Sequence, residues 1–300
     1  MNQQQRPIAL VSARAAHGLD EDMAPLQAAL AALQLPAEVV DWDDASVDWS
    51  RYALVLLRST WDYTTRLPEF HAWLERVAAQ TALLNPPAVV RWNVDKHYLG
   101  ELARAGVATV PSEFVEPGQS ASAGFQAFAQ RHPQAELVVK PSVGAGSRDA
   151  QRYGREEQPA IVAHIERLLA ASRSVLLQPY LDRVDEQGET ALMYFDGQFS
   201  HAIRKGPLLQ RGNAPTRALF AAEHITPRDP GADELALGAR VLAALPFAAP
   251  LYARIDLIRA ADGSPCVLEL EMAEPSLFFN HSADGAARFA TAIGRRLPSV

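Results

Sequence analysis

The segment from Leu251 to Glu271 constrains this chain most, because its alternation dictates a hairpin with a definite register. Leu251 to Arg259 and Pro265 to Glu271 read as strands joined through Asp262-Gly263, a strong two-residue turn signal. Cross-strand partners then have numbers that add to 525, so Asp256 faces Glu269 and Arg254 faces Glu271. Side chains alternate along a strand, so all four project from one face. Pro265 falls at a non-hydrogen-bonded position, where its missing N–H costs nothing. The other face carries Ala253, Ile255, Leu257, Cys266, Leu268 and Leu270, a core-like set. Three carboxylates this close stay ionised only if cations intervene. Arg254 supplies one charge, and one or two Mg²⁺ ions, which prefer hard oxygen ligands, would supply the rest. The alternative is a solvated outer face with an ion pair. The flank Glu274-Pro275-Ser276-Leu277-Phe278-Phe279 argues against it.

Lysine is the second signal. Of 28 basic residues only Lys96, Lys140 and Lys205 are lysine. In an arginine-biased chain a retained lysine suggests a site that wants a compact ammonium, although leftover surface residues would give the same count. Lys140 ends a short apolar strand and enters Pro141-Ser142-Val143-Gly144-Ala145-Gly146-Ser147, whose small residues let backbone N–H groups approach phosphate. This is neither a Walker A loop nor a Rossmann fingerprint, and by itself it reads equally as a flexible loop.

The rest of the chain alternates strand and helix up to residue 90 or so, which implies a small doubly wound α/β unit with a parallel sheet. Asn85-Pro86-Pro87 marks a break. The pattern from Asn93 to Ala105 predicts one helix with Lys96 in its first turn and Gly106 as its stop. A small α+β unit follows, ending in the strand Val175 to Gln178. Strands then dominate, with a hairpin of Ala191–Phe195 and Gln198–Arg204 through Asp196-Gly197. The run from Gly206 to Pro230 has no period and reads as a long active-site loop. Expected units are 1–92, 93–182 and 183–300.

Net charge is −7 with no basic run, which opposes nucleic-acid binding. The single cysteine, Cys266, excludes an internal disulfide or a cysteine zinc site. No apolar run approaches a membrane span, and the start lacks a signal-peptide pattern, so the expected location is the cytoplasm.

The order of these pieces resembles the ATP-grasp superfamily, near glutathione synthetase and D-alanine–D-alanine ligase. That order is a lysine on a helix, a strand ending Lys-Pro before a small-residue loop, Gln178-Pro179-Tyr180-Leu181, then Glu189, Arg204-Lys205 and the acidic hairpin. Arg58-Ser59-Thr60-Trp61-Asp62-Tyr63, Leu268-Glu269-Leu270-Glu271 and Glu274-Pro275-Ser276-Leu277 are similar, more narrowly, to the cyclo-ligase of cycloserine biosynthesis and its relatives. The resemblance implies an ATP-grasp fold of α/β and α+β parts, with an N-terminal Rossmann-like (preATP-grasp) domain. It implies ATP and Mg²⁺, two ions being the common number, and a homodimer is the common state of such enzymes.

Carried over, Lys96 and Lys140 contact the α- and β-phosphates, with Ser142, Gly144, Gly146 and Ser147 in the phosphate loop. Gln178, Tyr180 and Leu181 line the adenine pocket, and Glu189 binds the ribose. Lys205 reaches the outer phosphates, Asp256, Glu269 and Glu271 hold Mg²⁺, and Arg254 stabilises an oxyanion. The family usually has Asn where Glu271 stands, so that ligand departs from the pattern. The implied activity joins a carboxylate to an amine through an acyl phosphate, on a small amino acid or peptide. A phosphotransferase on the same fold and a non-catalytic ATP-binding protein are the alternatives.

Candidate substrate contacts are Arg14, Arg58, Ser59 and Asp62 after strands of the first unit, where α/β sheets bind ligands. Arg204, Glu274 and Ser276 join them. Arg58 is a candidate bidentate clamp for a substrate carboxylate. Trp61 and Tyr63 either wall a small pocket or pack between units.

Overall fold

The computed structural model describes residues 6–133, 135–212, 219 and 224–298. The first unit is built from β1 (Ile8–Ser12), α1 (Met23–Ala32), β2 (Ala37–Asp41), β3 (Leu54–Ser59), α2 (Leu67–Ala78) and β4 (Ala82–Leu84). Its parallel sheet has the order β2-β1-β3-β4. Strands buried on both faces must carry apolar side chains in both directions, and β1 and β3 do. Ala9, Val11, Val55 and Leu57 pack under α2 with Phe70, Trp73 and Leu74. Ile8, Leu10, Leu54 and Leu56 face the other way, onto Leu26 and Leu30 of α1.

Two helices follow, α3 (Pro87–Asn93) and α4 (Tyr98–Arg104). The single helix expected over 93–105 is therefore broken, and Lys96 lies in the connection. Its backbone N–H donates to Ser142 O at 3.0 Å, and Asp95 bridges Val143. A tertiary strand-like contact outcompetes the helical ladder here. Gly106, at φ +82°, stops α4 as expected.

The second unit contains β5 (Glu113–Val115), α5 (Ala121–Arg131), β6 (Leu137–Pro141), β7 (Gln151–Tyr153), α6 (Gln158–Ala170) and β8 (Val175–Pro179). Its antiparallel sheet runs β5-β8-β6-β7, with α5 and α6 sharing its apolar core.

The third unit begins with α7 (Arg183–Gln187), then β9 (Glu189–Phe195), β10 (Gln198–Lys205), β11 (Ile225–Pro227) and α8 (Ala232–Ala243). It ends with β12 (Tyr252–Arg259), β13 (Pro265–Glu271) and α9 (Gly285–Arg296). The sheet order is β11-β10-β9-β12-β13. Asp196 and Gly197 both have positive φ, +51° and +76°, the geometry of the primed turn read from Asp-Gly. Of the expected loop from Gly206 to Pro230, residues 213–218 and 220–223 lie outside the described residues, and β11 occupies part of its end.

The C-terminal helix closes the first unit. Phe289 and Ile293 of α9 join the core cluster that holds Ile8, Leu54 and Leu26. Asn85 ties the break to the third unit: its amide donates to Tyr252 O and Met272 O at 2.9 and 2.7 Å and accepts from Leu251 N at 2.7 Å. Those bonds satisfy backbone groups at the start of β12 and just beyond the end of β13.

Candidate active site

The acidic hairpin has the expected pairing where it matters: Arg254 opposes Glu271 and Asp256 opposes Glu269. Beyond Asp256 it differs. Leu257 pairs with Val267 and Arg259 with Pro265, so Leu268 is an extra residue, a β-bulge. The turn is longer than two residues: Ala260 N donates to Ser264 O, Gly263 N donates to Ala260 O, and Gly263 has φ +87°. The bulge absorbs the one-residue offset that this turn creates. It also switches faces, because an inserted residue breaks the two-residue alternation. Ala253, Ile255, Leu257 and Leu270 pack in the core as expected. Cys266 and Leu268 do not, and cluster instead with Ile258, Tyr180 and Leu181.

The polar face of this hairpin borders a cleft of about 490 Å³ between the three units. Lys96, Lys140 and Lys205 all line it, as do Gly144, Gly146, Ser147, Gln178, Tyr180, Leu181, Glu189, Arg254, Glu269 and Glu271. Segments far apart in sequence are thus brought together as expected. Asp256 sits directly behind this lining, 2% exposed. Ser142 is the exception among the loop residues. It is buried off the cleft, with its N–H bonded to Ser174 O at 2.9 Å and its own carbonyl serving Lys96. The sequence reading missed Val138, Ile258 and Phe278 as lining residues and Leu268 as one of them. An apolar residue on a strand facing a cleft carries no local signal that separates it from core.

The cations pair tightly with the acids. Lys205 Nζ donates to Asp256 Oδ2 at 2.6 Å and lies 3.3 Å from Glu189. Lys96 Nζ contacts Glu269 at 2.8 Å and Gly144 O at 2.8 Å. Arg254 grips Asp256 with two bonds, Nε to Oδ1 at 2.9 Å and Nη2 to Oδ2 at 3.0 Å, and also bonds Glu271. The sequence reading named Arg254 and Mg²⁺ as the counter-charges of these carboxylates and left the lysines out. Lys96 and Lys205 join Arg254 in that role.

The electrostatics follow. Burial disfavours the Asp256 carboxylate, yet Arg254 and Lys205 overcome it and hold its pKa down to about 2. Burial opposes the charge of Lys96 too, and Glu269 outweighs it, so its pKa is raised. Glu269 is lowered against burial by Lys96 and Lys140. Glu271 moves the other way, to about 7, because burial and its acidic neighbours exceed the help from Arg254. Glu274 reaches about 8 through burial and the nearby Glu271.

Lys140 differs from the other two lysines. Among the described residues it has no hydrogen-bond or ion-pair partner. Burial, with Lys96 and Lys205 nearby, lowers its pKa. The loop after it is held in place from behind: Arg173 donates to Val143 O at 3.1 Å and to Asp149 at 2.8 Å. Gly146 and Ser147 have successive positive φ values of 60° and 58°. Backbone N–H groups in such a bend form a nest suited to an anion.

Part of the cleft wall is apolar: Val138 lines it with Ile258, Leu268, Leu181 and Tyr180, the last four in one cluster. The Arg152 guanidinium lies 3.5 Å from the Tyr180 ring centroid, which fixes that wall.

Several substrate candidates are placed elsewhere. Arg58 is 1% exposed and off the cleft; it donates to Pro275 O at 3.0 Å and lies 3.7 Å from Asp22. It joins β3 to the segment after the acidic hairpin, a use of burial that no local pattern reveals. Ser59 bonds Ser12 at 2.9 Å, in a second, separate cleft. Asp62 accepts from the Trp42 indole at 2.8 Å. Arg14 is exposed beside Asp41. Arg204 donates to Gln187 O and Glu186 O at 2.6 and 3.0 Å, away from the cleft. Glu274 and Ser276 do line the cleft, with Trp61, whose indole donates to Glu274 O at 3.0 Å. Tyr63 is buried, stacked on Phe70 at 4.9 Å.

The donor chemistry suits a hard divalent cation, since Asp256, Glu269 and Glu271 offer only carboxylate oxygens. As the side chains stand, each is turned to a lysine or arginine. Among the described residues no three acidic, His or Cys groups converge as a metal cluster. Metal entry would exchange one of these ammonium or guanidinium partners for the ion.

Comparison with known proteins identifies the family and the fold. Residues 8–85 match the family model of the N-terminal domain of D-cycloserine synthetase DcsG. Over 299 residues the chain is 44% identical to the cycloserine biosynthesis protein DcsG of Streptomyces lavendulae, covering 97% of this chain and 98% of that one. The crystal structure of D-cycloserine synthetase DcsG aligns with a TM-score of 0.91 at 44% identity, over 97% of this chain and 99% of the other. D-alanine–D-alanine ligase from Bacillus anthracis shares the fold, with a TM-score of 0.66 at 16% identity over 97% of both chains.

Proposed function

The chain belongs to the D-cycloserine synthetase family of ATP-grasp ligases, and from that premise we propose that its cleft closes a small serine-derived amino acid into a ring of the cycloserine type. It is an ATP-dependent ligase or cyclo-ligase. The observation that best supports the site reading is Lys140: an unpartnered, half-buried ammonium beside a backbone nest, on the wall of the main cleft.

In this reading adenine lies against the apolar wall, between Leu181, Ile258 and Leu268, and the main chain near Gln178 and Tyr180 reads its edge. Glu189 takes the ribose. Lys96, Lys140, Lys205 and the loop 144–147 hold the phosphates. Asp256, Glu269 and Glu271 would hold Mg²⁺. When bound, the ion would offset phosphate charge during transfer.

A substrate carboxylate oxygen attacks the γ-phosphorus, the bond to the β-phosphate oxygen breaks, and ADP leaves with that electron pair. The product is an acyl phosphate. Lysine ammonium groups already held at the cleft wall need little reorganisation to meet the growing charge. A nitrogen of the same substrate then attacks the acyl carbon. The carbonyl oxygen becomes an oxyanion, and Arg254, fixed by Asp256, is placed to stabilise it. Collapse expels inorganic phosphate and the nitrogen loses its proton. No protein nucleophile is required.

The test is an ADP-release assay over a panel of serine derivatives and other amino acids, with product mass determined. Substrate-dependent ADP and free phosphate, with loss of water from the substrate mass, supports the ring-closing reading. A phosphorylated product, or binding without turnover, overturns it.

A further inference from the structure

Leaving aside Asp262 in its turn, four acidic side chains stand on or just after the acidic hairpin, and three of them have basic partners. Asp256 has Arg254 and Lys205, Glu269 has Lys96, and Glu271 has Arg254. Glu274 has no Lys, Arg or His partner among the described residues. It is 6% exposed, and its Oε2 atom has no hydrogen-bond partner at all. Tyr63 hydrogen-bonds the carboxyl group, and the Trp61 indole is committed to the Glu274 carbonyl, which fixes the backbone from which the side chain springs. Other acids at this end are already used: Asp22 accepts backbone N–H groups, and Glu21 accepts from Asn280 at 3.4 Å.

A buried carboxyl oxygen left without a donor is costly, and such a group is retained where a ligand completes it. The same cleft is lined by Lys140 and Arg254, and by Glu274 with Ser276. A small zwitterion can meet both signs of charge there, with its carboxylate on a cation and its ammonium on Glu274.

Resting on the ligase reading above, we propose that Glu274 is the anchor for the primary ammonium group of an amino-acid substrate, the amine that does not react and is retained in the product. The class of ligand is a free, N-unblocked amino acid of serine size. Glu274 binds and orients it without taking part in bond making.

The probe is D-cycloserine, whose primary amine is free, against N-acetyl-D-cycloserine, in which that amine is a neutral amide. Affinities are measured calorimetrically with ADP and Mg²⁺ present, for the wild type and for Glu274→Gln. The wild type is expected to prefer the free amine by about 10- to 100-fold, and Glu274→Gln to lose most of that preference. ADP affinity is expected to stay within about twofold, which also reports on folding. Glu274→Asp, which keeps the charge, is expected to recover part of the preference. A preference that survives in Glu274→Gln overturns the proposal. So does a Glu274→Gln variant whose defect lies in ADP or Mg²⁺ affinity, since that would put Glu274 on the nucleotide. If the wild type binds neither probe, the cycloserine reading fails separately. The same comparison is then made with whichever panel amino acid drives ADP release and its N-acetyl form, and the same two outcomes decide.

Discussion

Arg254 and Asp256, two residues apart on one strand, hold each other through a bidentate pair of 2.9 and 3.0 Å at 6% and 2% exposure. The fork geometry locks the guanidinium plane, which a lysine cannot reproduce. Arg254→Lys is therefore expected to lower kcat by about 100-fold or more with nucleotide affinity little changed. Losing the fork also leaves Asp256 with poorer pairing, and a destabilisation of about 3 kcal/mol is expected. Steady-state kinetics and thermal melting check the two parts.

Lys140→Ala separates binding from stability. The ammonium has no partner among the described residues, so its removal is expected to leave the melting temperature of the unliganded protein unchanged or raised. Nucleotide affinity is expected to fall about 10- to 100-fold. Equal affinity in a nucleotide titration would sink the phosphate assignment.

Gly188 precedes Glu189 at φ +70°, and a Cβ there would stand 2.2 Å from Lys205 O. Backbone must move to relieve that contact, and both neighbours line the cleft. Gly188→Ala is expected to cost about 2 kcal/mol or more and to lower turnover, whereas an alanine at the open Gly212 lowers stability less and leaves turnover unchanged. Denaturation and ADP release on the two variants test this.

Asp22 ties the first unit to the segment after the acidic hairpin. Its carboxylate accepts from Leu277 N, Phe278 N and Phe279 N at 2.5, 3.2 and 2.8 Å. Asp22→Ala leaves three backbone donors unmet, with an expected loss of about 3 kcal/mol or more. An unaltered unfolding midpoint would refute the role.

His164 and His201 have pKa values near 4 against an ordinary 6.5, through burial in both cases. His201 Nε2 donates to Leu277 O at 2.8 Å, which keeps a proton on that nitrogen, and burial outweighs the help this bond gives the charged form. A depressed histidine pKa means the unfolded chain takes up the proton first. Stability is full above about pH 6.5 and falls as pH drops towards 4, by up to about 3 kcal/mol per histidine. His201→Gln is expected to flatten the pH 7 to 4.5 dependence of unfolding free energy by about 2 to 3 kcal/mol. Denaturant curves at the two pH values measure it.

Local rules carried the reading where the physics is local. Two-residue alternation was enough to put Arg254, Asp256, Glu269 and Glu271 on one face. Asp196-Gly197 specified its turn because only residues tolerant of positive φ fit there. The two-faced apolar runs of β1 and β3 specified a parallel sheet covered on both sides. The second face is covered by α1 and also by α9, more than 200 residues away, and no periodicity points to α9. Long-range partners likewise decided that Lys96 leaves the helical ladder to bond Ser142, and that Arg58 is a buried tie where a ligand clamp was expected. They also turned Lys96 and Lys205 into counter-ions of the acidic hairpin, and Leu268 from core residue into cleft wall. The sequence by itself determined the chemistry available to the cleft, because residue type and strand alternation are set by neighbours in the chain. Only the tertiary structure decided which charge meets which, because burial and pairing depend on segments brought together across the whole fold.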